Sequence, residues 1–361
     1  MSRKKNFFAG PSVMPVEVLE QMREEIVDYQ GGGLSIIESS HRSQPFARMY
    51  SETLELLKEV MQIPEGYSTF FLGGGASLQF CMVPLNFLPA AQSASYICSG
   101  SWALKAVKEA QLVGRVDVAW DGKAGNYTTL PELSTLSLAD DSAYLYLCSN
   151  ETIGGIQWKT WPTNLEIPLI ADMSSDILSR PVPIEKFSMI FAGVQKNMGP
   201  AGATLVIVKD ELLERQNKGI PSYLDYKVHA TNDGLYNTPP VFSIWGVKLV
   251  LEWIKKNGGA EGMAKRAELK SNLLYDVIDH SDGYYRSPVD KNYRSTMNVV
   301  FRLPSEELEA KFLSLTQEVG MLGLKGHRSV GGLRASLYNA LPVEDVEALA
   351  TLMREFQREN G

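Results

Sequence analysis

Apolar residues gather along this chain in short runs. STFFL (68–72), ASYIC (94–98), VDVAW (116–120), AYLYLC (143–148), IPLIAD (167–172), SMIFAG (188–193) and ATLVIV (203–208) follow one another without strict apolar/polar alternation. Segments with helical spacing lie between several of them, such as SLQFCMVPLNFL from Ser77 and WALKAVKEAQLVG from Trp102. Runs apolar on both faces and separated by helices predict strands covered on both sides, hence a mainly parallel α/β sheet.

Beyond Pro240 the pattern changes. VFSIWGVKLVLEWIKKNGG keeps helical spacing up to a Gly-Gly stop, and GMAKRAELKSNLLYDVIDH reads as a second long helix. MNVVFRL, ELEAKFLSLTQEVG, GGLRASLYN and the amphipathic VEDVEALATLMREF then alternate strand, helix, strand, helix. That order predicts a smaller α+β domain after a large one, with residues 16–258 forming the large domain and residues 1–15 and 259–361 the small one. A chain of 361 residues is long enough for both cores.

Composition narrows the function classes. With 44% hydrophobic and 21% charged residues the chain is neither disordered nor membrane-like. A net charge of -7 offers no basic field for a phosphate backbone, which argues against nucleic acid as a partner. The basic start of MSRKKNFFAGPS precedes too short an apolar stretch for a signal peptide, and no run reaches the length of a membrane span. Cys81, Cys98 and Cys148 are odd in number, widely spaced and set in apolar surroundings, as expected of packing thiols in a reducing, cytoplasmic setting.

The chemistry centres on FAGVQKNMGPAG. Lys196 stands at the end of an apolar run, where an ammonium group is either a solvated turn residue or a group with a task. Asp172 ends another run, either as the cap of the turn into MSSD or as a site acid. Parallel strands bring their carboxyl ends to one edge of a sheet, so these two residues can meet there. For pyridoxal phosphate the pair has defined roles: lysine condenses with the aldehyde, and aspartate keeps the ring nitrogen protonated. FLGGGASLQF joins a strand to a helix through Gly73, Gly74 and Gly75, a plain turn or a phosphate cradle at a helix N-terminus. Trp102 at the next strand-to-helix junction either packs or stacks on a planar ring. Arg42 and Arg328, each preceded by a histidine (His41 and His327), and Arg334 in GGLRAS are surface charges or anion binders. Several such groups in Gly- and Ser-rich loops suggest a doubly anionic substrate.

FFAGPSVMP, GGGLSIIESSHRS, FLGGGASLQF, SGSWALKA, SNETIGGIQW, IPLIADMSSD, GVQKNMGPAG, YNTPPVFSIW and GHRSVGGLRASLYNA, in that order over nearly the whole chain, resemble the phosphoserine aminotransferases, a family of class V pyridoxal-phosphate enzymes. The resemblance implies the fold-type I architecture, a cytoplasmic homodimer with shared active sites, and amino transfer between glutamate and 3-phosphohydroxypyruvate in serine biosynthesis. It also raises a second role on a phosphorylated hydroxythreonine in pyridoxine synthesis. Residue by residue, it implies that Lys196 holds the cofactor aldehyde, Asp172 pairs with the ring nitrogen, Trp102 stacks on the ring and Thr152 bonds its oxygen. Ala76, Ser77 and Gln195 match phosphate-binding positions, and Asn237 and Thr238 match a pair contributed by the other subunit. Arg42 and Arg334 resemble carboxylate binders, while His41, His327 and Arg328 match positions linked to the substrate phosphate. Some members carry an arginine soon after the glycine triplet; Ala76-Ser77 here shifts that load to backbone N–H groups and the Ser77 hydroxyl.

Two rivals stand beside this reading. One is another class V enzyme of the alanine–glyoxylate type; a cysteine desulfurase fits less well, because no cysteine lies in a polar loop. The other is a non-catalytic nucleotide- or anion-binding protein that uses GGGAS only as an anion nest. Neither reading calls for a metal.

Overall fold

The computed structural model describes residues 3–163 and 165–361. All seven apolar runs become strands of one sheet: β1 (Tyr67–Leu72), β2 (Ser93–Cys98), β3 (Arg115–Asp121), β4 (Ser142–Cys148), β5 (Leu169–Asp172), β6 (Met189–Gly193) and β7 (Thr204–Lys209). Their order across the sheet is β1-β7-β6-β5-β4-β2-β3. Strands β2 to β6 pair in parallel, and β7 runs antiparallel to both β6 and β1. The connection 194–203 explains the exception: it is too short for a parallel crossover, so the chain must turn straight back.

Side chains alternate between two cores, as the pleat requires. On one face Ile190 and Ala192 of β6 and Leu205 and Ile207 of β7 meet helices Gln44–Met61 and Val241–Lys256. On the other, Met189, Phe191, Val206 and Val208 join residues of helices Gly75–Phe87 and Ser101–Val113. Strand β3 departs from the expectation of cover on both faces. It is a sheet edge, none of its residues is buried, and Val118 is 39% exposed.

Helices Gly259–Asp279, Glu306–Glu318 and Val343–Asn360 pack on the antiparallel pair Asn298–Phe301 and Leu333–Ser336 around a further core. Phe7 and Val13 belong to that core, and Lys5–Asn6 pairs in parallel with Met321–Leu322. The N-terminal segment is therefore bound to the C-terminal elements rather than to the large sheet. No helix among the described residues is long and apolar enough to cross a membrane.

A chain of buried hydrogen bonds joins the two parts. Asn150 Nδ2 donates to Asn298 Oδ1 at 2.8 Å, Asn298 Nδ2 donates to Ser336 Oγ at 3.0 Å and to the Tyr338 hydroxyl at 3.3 Å, and that hydroxyl donates to the Ala9 carbonyl at 2.8 Å. Lys270, fully buried, donates to the carbonyls of Tyr338 (2.7 Å) and Leu341 (3.2 Å), and burial lowers its pKa to about 7.

At the same junction Gly155 has a φ of +71°, and a Cβ there would lie 2.7 Å from the Asn298 carbonyl oxygen and 2.8 Å from Val300 Cγ2. Its neighbour Gly154 has only the Tyr127 carbonyl oxygen near, at 3.9 Å. Gly155→Ala should cost about 2–4 kcal/mol through left-handed strain and overpacking, and Gly154→Ala less than about 1 kcal/mol. Urea unfolding of the two variants checks this, and equal losses would contradict the close approach.

Candidate active site

The carboxyl ends of the parallel strands open into a cavity of about 430 Å³. Of the fourteen site residues that the resemblance implies, nine line it: Ala76, Ser77, Trp102, Thr152, Asp172, Gln195, Lys196, His327 and Arg334. Five do not. Arg42, Asn237, Thr238 and Arg328 are exposed, and His41 is half-buried with its ring edge-on to Phe46, so none of them lines the cavity of a single chain.

Each wall follows from the fold. Asp172 is the last residue of β5, in register with Cys148 of β4 and Phe191 of β6. Its Oδ1 accepts the Ser174 N–H at 2.8 Å, so it caps the following turn and faces the cavity as well. Lys196 lies in the tight β6–β7 connection, and its Nζ donates to Thr152 Oγ1 at 2.7 Å. The N-terminal segment holds that connection from outside: the Ser12 hydroxyl donates to the Lys196 carbonyl, and the Ser12 N–H donates to the Gln195 carbonyl at 2.9 Å. Gly74 (φ +88°) and Gly75 (φ +67°) take left-handed conformations, which lets the chain leave β1 and enter helix Gly75–Phe87 at once. The first-turn residues of that helix line the cavity, so its unpaired N–H groups and dipole are available to an anion. Arg334, on strand Leu333–Ser336, reaches across from the small part of the molecule and donates from Nη1 to the Thr152 carbonyl at 3.2 Å.

Two buried carboxylates set the electrostatics. Burial raises the pKa of Asp172, against hydrogen bonds from Ser174 and the charge of Lys196. Glu151, not singled out from the sequence, is fully buried, and burial pushes its pKa up to about 7. Its two oxygens accept the N–H groups of Trp102 (3.0 Å) and Ala103 (2.8 Å) at the start of helix Ser101–Val113. That fixes the backbone carrying the Trp102 ring, and Lys196 Nζ lies 5.5 Å from the centroid of the indole. At the mouth the pKa of His327 is lowered by burial and then by the charges of Arg334, Arg328 and Lys105. Cys148 lines the cavity floor as a free thiol whose pKa burial raises well above the usual range. No group of three or more His, Cys, Asp or Glu residues among those described could hold a metal ion.

The donor set fits a planar aromatic aldehyde phosphate. The cavity presents a helix N-terminus for the phosphate, an indole for the ring face, a carboxylate for a basic ring nitrogen and an amine for the aldehyde. The indole Nε1 of Trp102 is buried without a hydrogen-bond partner, as is Nε of Arg334, so polar atoms at this site remain available to a bound group. Glu151 could have been noticed in SNETIGG as an acid directly after an apolar run; only its backbone partners, 48 and 49 residues away, reveal its role.

The model of the family Aminotransferase class-V matches residues 5–349. The phosphoserine aminotransferase of Halalkalibacterium halodurans is 49% identical over 356 residues, covering 99% of both chains. The solved phosphoserine aminotransferase of Bacillus circulans subsp. alkalophilus superposes with a TM-score of 0.98 at 50% identity, over 99% of each chain. A structure of the phosphoserine aminotransferase of Trichomonas vaginalis, described as PLP bound, superposes with a TM-score of 0.93 at 37% identity, over 98% of this chain and 100% of that one. The chain belongs to the class V aminotransferases, and pyridoxal phosphate is its cofactor.

The raised pKa of Glu151 has a measurable consequence. Between its ordinary value near 4.5 and about 7 the folded state holds a proton that the unfolded chain has released, so its contribution to stability falls as pH rises through that window. In cofactor-free protein, the stability of wild type relative to Glu151→Gln should fall by up to about 3 kcal/mol between about pH 5 and pH 8. Urea unfolding at the two pH values measures it, and a pH-independent difference would contradict the burial of an ionisable Glu151.

Proposed function

We propose that this class V aminotransferase moves an amino group between L-glutamate and 3-phosphohydroxypyruvate, giving O-phospho-L-serine and 2-oxoglutarate. The observation that carries the reading is one amine, Lys196 Nζ, and one fully buried acid, Asp172, in a cavity whose mouth holds His327 and Arg334. Bound there, pyridoxal phosphate supplies an electrophilic aldehyde and an electron-accepting ring.

The chain's residues divide the remaining work. The N–H groups of Ala76 and Ser77 and the Gln195 side chain would hold the cofactor phosphate, Trp102 would cover one face of the ring, and Thr152 would orient its oxygen substituent. Asp172, buried and unable to exchange its partner for water, would keep a proton on the ring nitrogen. Lys196 Nζ takes the proton from the α-carbon of the amino substrate and delivers one to the α-carbon of the incoming keto acid. Arg334, already anchored on the Thr152 carbonyl, receives the substrate α-carboxylate through its remaining donors. Both half-reactions keep an α-carboxylate, which is why one arginine serves both substrates.

The phosphate end belongs to His327 and Arg328 of one subunit together with His41 of another, and the same partner brings Arg42, Asn237 and Thr238. This homodimeric arrangement is supported by the position of these groups outside the single-chain cavity. It is also supported by exposed apolar side chains beside them, Leu34, Ile37, Tyr236 and Phe242. The large unit of residues 16–258 supplies the cofactor site, and the unit of residues 1–15 and 259–361 supplies Arg334 and the His327 loop. Three free thiols accord with a cytoplasmic enzyme. A phosphorylated hydroxythreonine, carrying the same two anionic ends, is the second substrate this site suits.

The test is a visible spectrum of holoenzyme before and after O-phospho-L-serine and, separately, L-serine. The cofactor band should be lost with the phosphorylated compound alone; equal responses would overturn the substrate, and near-normal turnover by Lys196→Ala would overturn the role of that lysine. Sedimentation should give twice the 40.0 kDa chain mass, and a monomer with full activity would overturn the shared site.

A further inference from the structure

Beside the cavity wall stands a positive charge that the residues placed so far do not include. Helix Ser101–Val113 opens with Trp102 in the cavity wall, and three positions later, on the same side of the helix, stands Lys105. Its Nζ lies 4.1 Å from the centroid of the Trp102 indole. A cation over an indole at an exposed position gains little, enough to favour a rotamer without neutralising the charge. Lys105 is exposed and forms no ion pair among the described residues, and neither do Arg328 and Arg334.

Lys105 also lies within electrostatic reach of the loop that holds His327: with Arg334 and Arg328 it is one of three cations that disfavour a proton on that imidazole. In such company a proton on His327 is disfavoured, so the imidazole offers a hydrogen bond more readily than a charge. Arg334 is anchored on the Thr152 carbonyl, deeper in the cavity. A phosphomonoester dianion at the mouth therefore needs its charge met by Arg328 and one more cation. The long, flexible stem of a lysine, ending in three donors, can supply it from the helix side.

We propose that Lys105 is a specificity-determining residue whose ammonium receives the phosphate of the phosphorylated substrate, opposite the His327–Arg328 loop and above the Trp102 ring. The inference rests on the reading of the substrate as a phosphomonoester. It assigns the phosphate a partner on helix Ser101–Val113, fixed by the same helix start that Glu151 holds.

The experiment compares wild-type holoenzyme with Lys105→Met and Lys105→Arg. Spectral titration with O-phospho-L-serine, without keto acid, should show a Kd raised roughly tenfold or more in Lys105→Met and within about threefold of wild type in Lys105→Arg. The KM for L-glutamate should change less than about twofold, and kcat at saturation should hold. Lys105→Gln gives the same reading if the Met variant fails to fold. An unchanged Kd for O-phospho-L-serine, or equal losses for it and for glutamate, overturns the role of Lys105. A wild-type enzyme that does not prefer O-phospho-L-serine over L-serine overturns the substrate reading, and with it this inference.

Discussion

Two carboxylates held out of water at the edge of a parallel sheet constrain the rest of this molecule. Removing a carboxylate from solvent costs several kcal/mol unless donors replace its hydration. For Asp172 the donors are the turn at Ser174 and the charge of Lys196; for Glu151 they are two N–H groups at the start of a helix. Neither set cancels the cost, as the upward pKa shifts of both groups show. A cationic ring nitrogen set against Asp172 would reduce it, so the site that is least comfortable alone is the one best prepared for its cofactor.

That constraint dictates the scaffold. Asp172 stays dry only because β5 lies between β4 and β6, with helices over both faces of the sheet. Lys196 reaches the floor because the connection after β6 is too short to leave the edge, and this also forces β7 to run antiparallel. The segment from Ala9 to Ser12 then closes over the lysine, tied to the Tyr338 hydroxyl at one end and to the Gln195 and Lys196 carbonyls at the other. Lys270 accepts a buried ammonium's desolvation to hold the Tyr338 and Leu341 carbonyls in place, which makes sense if that loop's position matters more than the cost of the charge.

Strands and site were legible in the sequence to different depths. The seven runs became seven strands because burial on both faces leaves an unbroken apolar signature. At β3, exposure on the sheet edge coexists with a run, VDVAW, that reads the same as the buried ones. In helix Gln44–Met61, Phe46, Met49, Tyr50, Leu57 and Val60 keep helical spacing, but polar residues interrupt them and no continuous apolar run marks the segment. Lys196, Asp172 and the glycine turn were readable because each breaks a local expectation: a charge at the end of an apolar run, or three glycines where a helix should begin. Glu151 breaks none. Its partners are backbone atoms far away in sequence, and backbone contacts leave no mark on residue identity.

The split between the nine residues that line the cavity and the five that do not follows the same logic of reach. The nine sit on strand ends, on the turns or first helical turns directly after them, or on the His327 and Arg334 segment folded back over the edge. Arg42 and Asn237 lie in segments that this sheet cannot bring inward, because helix Gln44–Met61 and helix Val241–Lys256, which follow them, are locked side by side on the opposite core. On the proposed dimer, a basic side chain held outside its own cavity in this way would serve the cavity of the neighbouring chain. The glycine- and apolar-rich loop ahead of the first helix, with Leu34 and Ile37 turned to solvent, and Phe242 in the first turn of the second are the surfaces such a neighbour would cover. A dry floor built within one chain and a charged mouth completed by two would let each part be tuned without disturbing the other.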